Sequence, residues 1–348
     1  PDTEDLALIQ KIEEMEIPYW YPTDRMPEGY NTEQPKKSHG TTHVHHFYTR
    51  RNLLVISSIF NKIDNKSILR FAFTGIIQGL TKLQRFKPKT TFPNMILSGT
   101  LYIGSLMREW NVIDWLAGKI RGLKRGRVKF SGNLKNINSG VQSTNVIRVQ
   151  DSSIDYIFTD PPFGGNLMYS ELNFLWESWL KVFTNNKPEA IVNQAQRKGL
   201  SEYQHLMEAC FKEYYRVLKP GRWMTVEFSN SQSAVWNAIQ EAIQRAGFVI
   251  ANVSVLDKKQ GSFKAVTTTT AVKQDLVISA YKPKQEYIDK MKREQNTEES
   301  AWTFVKQHLE QLPVFKGEKG KAELIVERTP RALFDRMVAY HVQNGLPV

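Results

Sequence analysis

The sequence holds one cysteine, Cys210, among its 348 residues. A single thiol excludes a disulfide scaffold and a cysteine-based zinc site. No apolar run approaches the ~18 residues that a membrane-spanning helix needs. The opening residues Pro1-Asp2-Thr3-Glu4-Asp5 are polar and acidic, unlike a signal peptide. Together these absences predict a reducing, cytoplasmic setting with no membrane partner. Acidic residues are also nearly missing from one stretch. Residues 71–150 contain only Glu109 and Asp114.

That scarcity gives the net charge an address. The chain has 47 Lys+Arg against 35 Asp+Glu, a net charge of +12. Residues 1–70 are close to neutral, with 9 basic and 10 acidic residues, and residues 151–348 have 25 and 23. Residues 71–150 carry 13 basic residues and 2 acidic ones, so nearly all the surplus lies there. A concentrated surplus points to a polyanionic partner; the alternative is a solvated basic face. With 41% hydrophobic residues the chain can build a sizeable core, and its length suggests about two domains at roughly 150 residues each.

Leu6, Ile9 and Ile12 suggest a short first helix, before Pro-, Gly- and Tyr-rich turns. Helical spacing returns from Phe47 through Leu53, Leu54, Ile56, Ile59 and Phe60, and again from Ile68 to Phe86. Gly75 and Gly79 inside the second run suggest close packing or a weak helix rather than a phosphate loop. Ile96 to Trp115 reads as a further helix, and the five cations within residues 121–129, interleaved with glycines, read as a mobile loop. Asn145 to Val149 resembles a strand. Ile154 to Thr159 reads as a buried strand stopped by Asp160-Pro161-Pro162. Leu172, Leu175, Trp176, Trp179, Leu180 and Phe183 mark an amphipathic helix, with both tryptophans in the core. A helix over 202–218, a strand over 223–228, a helix over 233–246 and strands over 248–255 and 276–281 follow. The last two strands lack a helix between them and are expected to pair antiparallel at one edge, joined by a loop over 257–274. Residues 283–300 suggest a linker or exposed helix, followed by helices near 301–312 and 331–343. This order is that of an α/β sheet with helical crossovers.

The tetrapeptide Asp160-Pro161-Pro162-Phe163 ends a strand, where open α/β sheets bind ligands. Asp160 offers an acceptor oxygen. The two proline rings stiffen the turn and present carbonyls that are expected to be free. Phe163 offers a flat apolar wall. Such a pocket suits a planar ring with an exocyclic NH2 group. Two acceptors gripping both N–H bonds localise a lone pair that would otherwise be delocalised into the ring. The same four residues also suit a plain connector, with Asp as a cap and Pro-Pro as a rigid turn.

The run Ile154-Asp-Tyr-Ile-Phe-Thr-Asp160-Pro-Pro-Phe163-Gly-Gly resembles the catalytic segment of the amino-group DNA methyltransferases, which modify adenine N6 or cytosine N4. Val217-Leu-Lys219-Pro220-Gly221 and Asp275-Leu-Val-Ile-Ser-Ala-Tyr281 are similar to two of their later strands. Phe47-Tyr48-Thr49-Arg50-Arg51-Asn52-Leu53 and Tyr169-Ser170-Glu171-Leu172 resemble segments of a large bacterial subgroup of these enzymes. The resemblance implies a Rossmann-like methyltransferase sheet, S-adenosyl-L-methionine as cofactor, double-stranded DNA as substrate and Asp160, Pro161, Pro162 and Phe163 as catalytic residues. Asp at the first motif position leans toward adenine. Thr49, Arg50 and Arg51, with Asp160, are the candidates for cofactor contacts. Lys82, Arg85, Lys87, Lys89, Arg121, Lys124, Arg125, Arg127 and Lys129 are the candidates for phosphate contacts.

The family's glycine-rich cofactor loop has no counterpart, since no Gly-x-Gly occurs in the chain. Phe73-Thr-Gly75 and Phe130-Ser-Gly132 are poor substitutes. The expectation is therefore a sheet incomplete at its N-terminal half, in a fragment beginning just after that loop. Its parts would be an N-terminal segment (1–46), a helical basic insert (47–142), a catalytic half (143–283), and a charged linker with a small helical extension (284–348). RNA as substrate, or a DNA-binding piece inactive without the upstream loop, are the alternatives. His39, His43, His45 and His46 lie within eight residues and favour a phosphate contact or an exposed loop over a metal pair. No metal is expected. Glu227 is read as a strand residue with a hydrogen-bonding role, ahead of a catalytic one.

Overall fold

The computed structural model describes residues 2–63, 67–88, 96–129, 136–256, 275–295, 297–314 and 325–347. The chain forms two compact units, Pro1–Ser139 with Met168–Lys187, and Gly140–Leu167 with Pro188–Val348. No described helix is long and apolar enough to cross a membrane.

The first unit is helical. Helix α1 (Thr3–Glu14) starts at a capping box in which the Asp5 N–H donates to the Asp2 carboxylate at 2.8 Å. Helix α2 (Tyr30–His39) ends on Gly40 at φ +63°. Helix α3 (Arg50–Lys62) begins at Thr49, whose hydroxyl accepts from the Asn52 N–H at 3.2 Å. Helices α4 (Ser67–Ile77), α5 (Val112–Lys129) and α6 (Tyr169–Leu180) complete the set. Their shared core includes Phe47, Leu53, Ile56, Phe73, Ile76, Leu175 and Trp179. Trp179 is fully buried and its indole N–H donates to the Tyr48 hydroxyl at 3.0 Å. The tryptophan reading holds, with Trp176 packed partly buried against the same core.

Three local expectations are corrected here. Helix α4 stops at Ile77 and does not reach Phe86, because the chain turns over Gly79 and Leu80. Residues 96–111 are not helical. Leu101 and Ile103 are buried while Tyr102 between them is 42% exposed, an alternation with period two. The Gln34 side chain grips Ile103 by both its N–H and its C=O, at 3.1 and 3.0 Å, and Arg85 bridges Met107 antiparallel. The cationic run over 121–129 is the second half of helix α5, not a loop. Val112, Trp115 and Leu116 anchor this helix on the core. That packing outweighs the roughly 1 kcal/mol each glycine costs inside a helix.

The second unit holds a four-stranded sheet in the order β1-β2-β4-β3. Strand β1 (Ile154–Thr159) pairs parallel with β2 (Leu218–Phe228), with Thr159 opposite Val226. Strand β4 (Asp275–Tyr281) pairs antiparallel with both β2 and β3 (Val249–Leu256). The expected antiparallel pair is present, while the predicted loop 257–274 lies outside the described residues. Helices α7 (Leu200–Val217) and α8 (Ser233–Arg245) cover the face bearing Met224, Val226, Phe228, Ile278 and Ala280. Gly247 follows α8 at φ +102°, a conformation that favours glycine. On the opposite face, α9 (Gln285–Arg293), α10 (Glu298–Gln311) and α11 (Pro330–Gln343) pack over Val249, Ala251 and Tyr281. This is the expected α/β, Rossmann-like sheet, with its parallel part limited to β1 and β2 among the described residues.

Asn145 to Val149 is not a strand. Its backbone groups go to side chains of α7 instead: the Ile147 N–H donates to Glu213 at 2.8 Å, and Arg216 donates to the Ile147 and Val149 carbonyls at 2.7 and 3.0 Å. These bonds satisfy the segment without a ladder. The Glu213 carboxyl is held down at about 2, first by its bond to Arg216 and then by the Ile147 N–H.

Candidate acceptor site

Asp160-Pro161-Pro162-Phe163 leaves the carboxyl end of β1, beside the carboxyl end of β2. Asp160 is exposed, Pro161 is buried, and Pro162 and Phe163 are half-buried. Three neighbours fix this turn. The Tyr203 hydroxyl, on α7, donates to the Pro162 carbonyl at 2.6 Å. The Asn230 amide, just past β2, donates to the Phe163 carbonyl at 2.8 Å. The Phe163 ring stands edge-to-face on Phe228, centroids 5.2 Å apart at 82°. Asn230 is itself held, since its side-chain oxygen accepts from the Gln232 N–H at 2.7 Å and its carbonyl accepts from the Trp236 indole at 2.9 Å.

The expectation that both proline carbonyls are free is therefore corrected. Pro162 is committed to Tyr203, and Pro161 alone accepts no hydrogen bond among the described residues. The two glycines after the motif are needed for geometry. Gly164 has φ +70°, and a Cβ on Gly165 would lie 3.2 Å from the Val192 carbonyl oxygen. Burial pushes the Tyr203 phenol well above its ordinary range, so it stays a donor.

Tyr203 and Asn230 were not singled out from the sequence. Asn230 had a readable signal, a polar residue one step beyond a strand end at the sheet's ligand-binding edge. Tyr203 had none, because an aromatic at helical spacing reads as core. Glu227 is half-buried in the β2–β4 ladder opposite Val277.

The other candidates fall in the first unit. Thr49, Arg50 and Arg51 stand at the head of α3, already engaged. The Thr49 hydroxyl donates to Glu109 at 2.6 Å, Arg51 pairs with Glu109 at 2.6 Å, and Arg50 donates to the Met15 carbonyl. Arg121, Lys124 and Arg125 are exposed on one face of α5, at helix positions i, i+3 and i+4. Lys82 and Arg85 are half-buried and Lys87 is exposed. Lys89 and the side chains of Arg127 and Lys129 lie outside the described residues. The His43, His45 and His46 rings cluster with centroids 4.3–5.6 Å apart. Among the described residues no group of three or more His, Cys, Asp or Glu side chains could hold a metal.

In comparison with known proteins, a family model covers more than half of the sequence. It is described as DNA methylase and matches residues 154–344, a span that contains the acceptor turn and every strand of the sheet. No curated protein matches. Among solved structures, a candidate DNA modification methylase of Thermus thermophilus has 11% identity and a TM-score of 0.23, covering 45% of this chain and 58% of that one. The present chain thus spans under two thirds of that protein. A SAM-dependent methyltransferase of Methanosarcina mazei has 14% identity and a TM-score of 0.25, over 49% of this chain and 79% of that one.

Proposed function

Because this chain belongs to the DNA methylase family, we propose that its Asp160-Pro161-Pro162-Phe163 turn is the acceptor site for an exocyclic amino group of a base in double-stranded DNA, with adenine N6 ahead of cytosine N4. The observation that carries the reading is how the turn is held. Tyr203 and Asn230 occupy the Pro162 and Phe163 carbonyls, and the Pro161 carbonyl stays open beside the exposed Asp160. The Asp160 carboxylate and the Pro161 carbonyl are the two acceptors assigned to the amine.

An aromatic amine is a poor nucleophile because its lone pair is spread into the ring. Two fixed acceptors drawing on both N–H bonds favour a tetrahedral nitrogen and aim its lone pair outward. This is preorganised electrostatics, which costs no rearrangement at the moment of reaction. Asp160 is also the group placed to take up a proton from the amine. A base inside a duplex reaches such a turn by flipping out, and Phe163 is the wall assigned to its ring.

S-adenosyl-L-methionine is the cofactor of this reading, and when bound it supplies an electrophilic methyl group. Among the described residues there is no Gly-x-Gly turn and no strand beyond the outer edge of β1. The residues present fit the acceptor side of the reaction and not a complete cofactor cradle. Cofactor contacts from Thr49 and Arg51 would require Glu109 to release them. In the same reading residues 47–142 supply the DNA-recognising part and residues 143–283 the catalytic half. Arg121, Lys124 and Arg125 on α5, with Lys82, Arg85 and Lys87, are its phosphate contacts.

The test is transfer of labelled methyl from S-adenosyl-L-methionine to unmethylated duplex DNA. Asp160→Ala is expected to lower the rate at least about 100-fold, as loss of a preorganised polar group in a transition state does. Equal transfer by wild type and Asp160→Ala contradicts the reading, and so does transfer to RNA in preference to DNA.

A further inference from the structure

The first unit carries a hollow of about 470 Å³ that the acceptor turn does not use. It lies at the head of α3, where His45, His46 and Arg50 line it with Lys82 from the turn after α4. Glu13 of α1 is the one acidic side chain in its lining, and His39 also faces it.

Arg50 here is held by a neutral partner, the Met15 carbonyl. The Lys82 ammonium makes no hydrogen bond among the described residues. Burial holds it below its ordinary range, with only the Glu13 charge opposing. The His45 Nδ1 is buried with no partner. Burial, and then the charges of His46 and His43, press His45 down to about 4. Burial, and then His43 and Lys82, lower His46 as well. Burial is the larger cause and the cationic neighbours add to it; a bound anion gives the protonated rings the counter-charge that both effects deny them. A metal ion would need at least three suitable ligands, and no such set exists among the described residues.

We propose that this hollow seats one backbone phosphate of bound DNA, with Lys82, Arg50 and His45 as its donors; His46 stands beside them with its Nδ1 accepting the Thr42 N–H at 3.2 Å. The identity of the polyanion rests on the methylase reading, whereas the cationic character of the hollow does not. Confinement to a hollow distinguishes this seat from the exposed cations of α5, which can slide along a backbone. Phosphate in the hollow raises the affinity of both imidazoles for protons. Duplex binding therefore strengthens as pH falls from the ordinary imidazole range near 6.5 toward about 4, where the free protein's His45 gains its proton.

The test uses the full chain with two probes. Fluorescence anisotropy follows a labelled duplex across salt concentration, and NMR follows the histidine rings while inorganic phosphate is added. Lys82→Gln is expected to weaken duplex binding about tenfold and to reduce the slope of log K against log salt by about 0.9, the loss of one phosphate contact. Lys82→Arg keeps the charge and the slope. In wild type, phosphate shifts the His45 and His46 resonances and duplex displaces it. An unchanged slope in Lys82→Gln overturns the proposal and leaves the methylase reading standing. Unmoved histidine resonances also overturn it, without need of any variant. Phosphate binding that duplex does not displace assigns the hollow to a free phosphate or nucleotide and overturns the DNA assignment. Failure of wild type to bind duplex at all overturns the methylase reading itself.

Discussion

At the residue scale, a single phenol does for the acceptor turn what a β-ladder cannot. Prolines have no N–H, so Pro161 and Pro162 cannot be pinned by backbone donors of their own. Tyr203 pins the turn from α7 by donating to the Pro162 carbonyl at 2.6 Å. Tyr203→Phe keeps the ring and deletes that bond. It is expected to cost about 1 kcal/mol of stability. It should also lower methyl transfer about tenfold, because a loosened turn no longer presents its acceptors at a fixed spacing. Measured kcat and Tm together check this: a stability loss with unchanged kcat would show that Tyr203 is only a packing residue. Asp160-Pro-Pro-Phe163 was legible because four residue types together suit one chemistry. The partners Tyr203 and Asn230 lie 41 and 67 residues from the carbonyls they hold, and nothing local announces such pairings.

At the element scale, the contrast between Gly75 and Gly79 tests how α4 and its following turn meet α5. A Cβ on Gly75 would touch only the flexible end of Lys119, at 2.4 Å from its Cε. A Cβ on Gly79 would come within 2.7 Å of the Trp115 ring. Gly75→Ala is expected to be neutral or stabilising by up to about 1 kcal/mol, through helix propensity. Gly79→Ala is expected to destabilise by about 1–3 kcal/mol, through overpacking. Thermal unfolding of the two variants checks the pair, and equal effects would contradict the packing. The place of the two glycines inside an apolar run left close packing and a weak helix both open, and the contacts of Gly75 with Lys119 and of Gly79 with Trp115 decide for packing. The helical state of residues 121–129 was not legible, because their own glycines argue for a loop while the anchoring contacts come from Trp115 and Leu116, between one and two turns earlier. Asn145 to Val149 failed for a related reason: its apolar alternation suits a strand, but its backbone partners are the side chains of Glu213 and Arg216.

At the scale of the whole molecule, stability against pH follows two groups in the second unit. His308 is fully buried, and burial holds its imidazole down at about 4, with Arg336 adding to the effect. A histidine kept neutral in the folded state costs stability once the unfolded chain can bind a proton. Stability therefore falls as pH drops from about 6.5 toward 4, by an order of 3 kcal/mol at most. Glu213 acts lower. Its depressed carboxyl stabilises the fold above its ordinary range and loses that contribution as pH falls through about 2. Chemical denaturation from pH 7 to pH 4 checks the first window, and His308→Gln should flatten it. Charge is the other global property. The sequence places the basic surplus in residues 71–150, and the structure resolves part of it into the exposed face of α5 formed by Arg121, Lys124 and Arg125. The half of the sheet that follows Ile154 was legible because strand and helix periods alternate cleanly there. The central claim is that the turn after β1 presents an amino group of DNA for methylation. Its most direct test is digestion of the labelled duplex to nucleosides after incubation with S-adenosyl-L-methionine. The account predicts label on an exocyclic nitrogen, as N6-methyladenine ahead of N4-methylcytosine, and its loss in Asp160→Ala; label on a ring carbon, as in 5-methylcytosine, would contradict it.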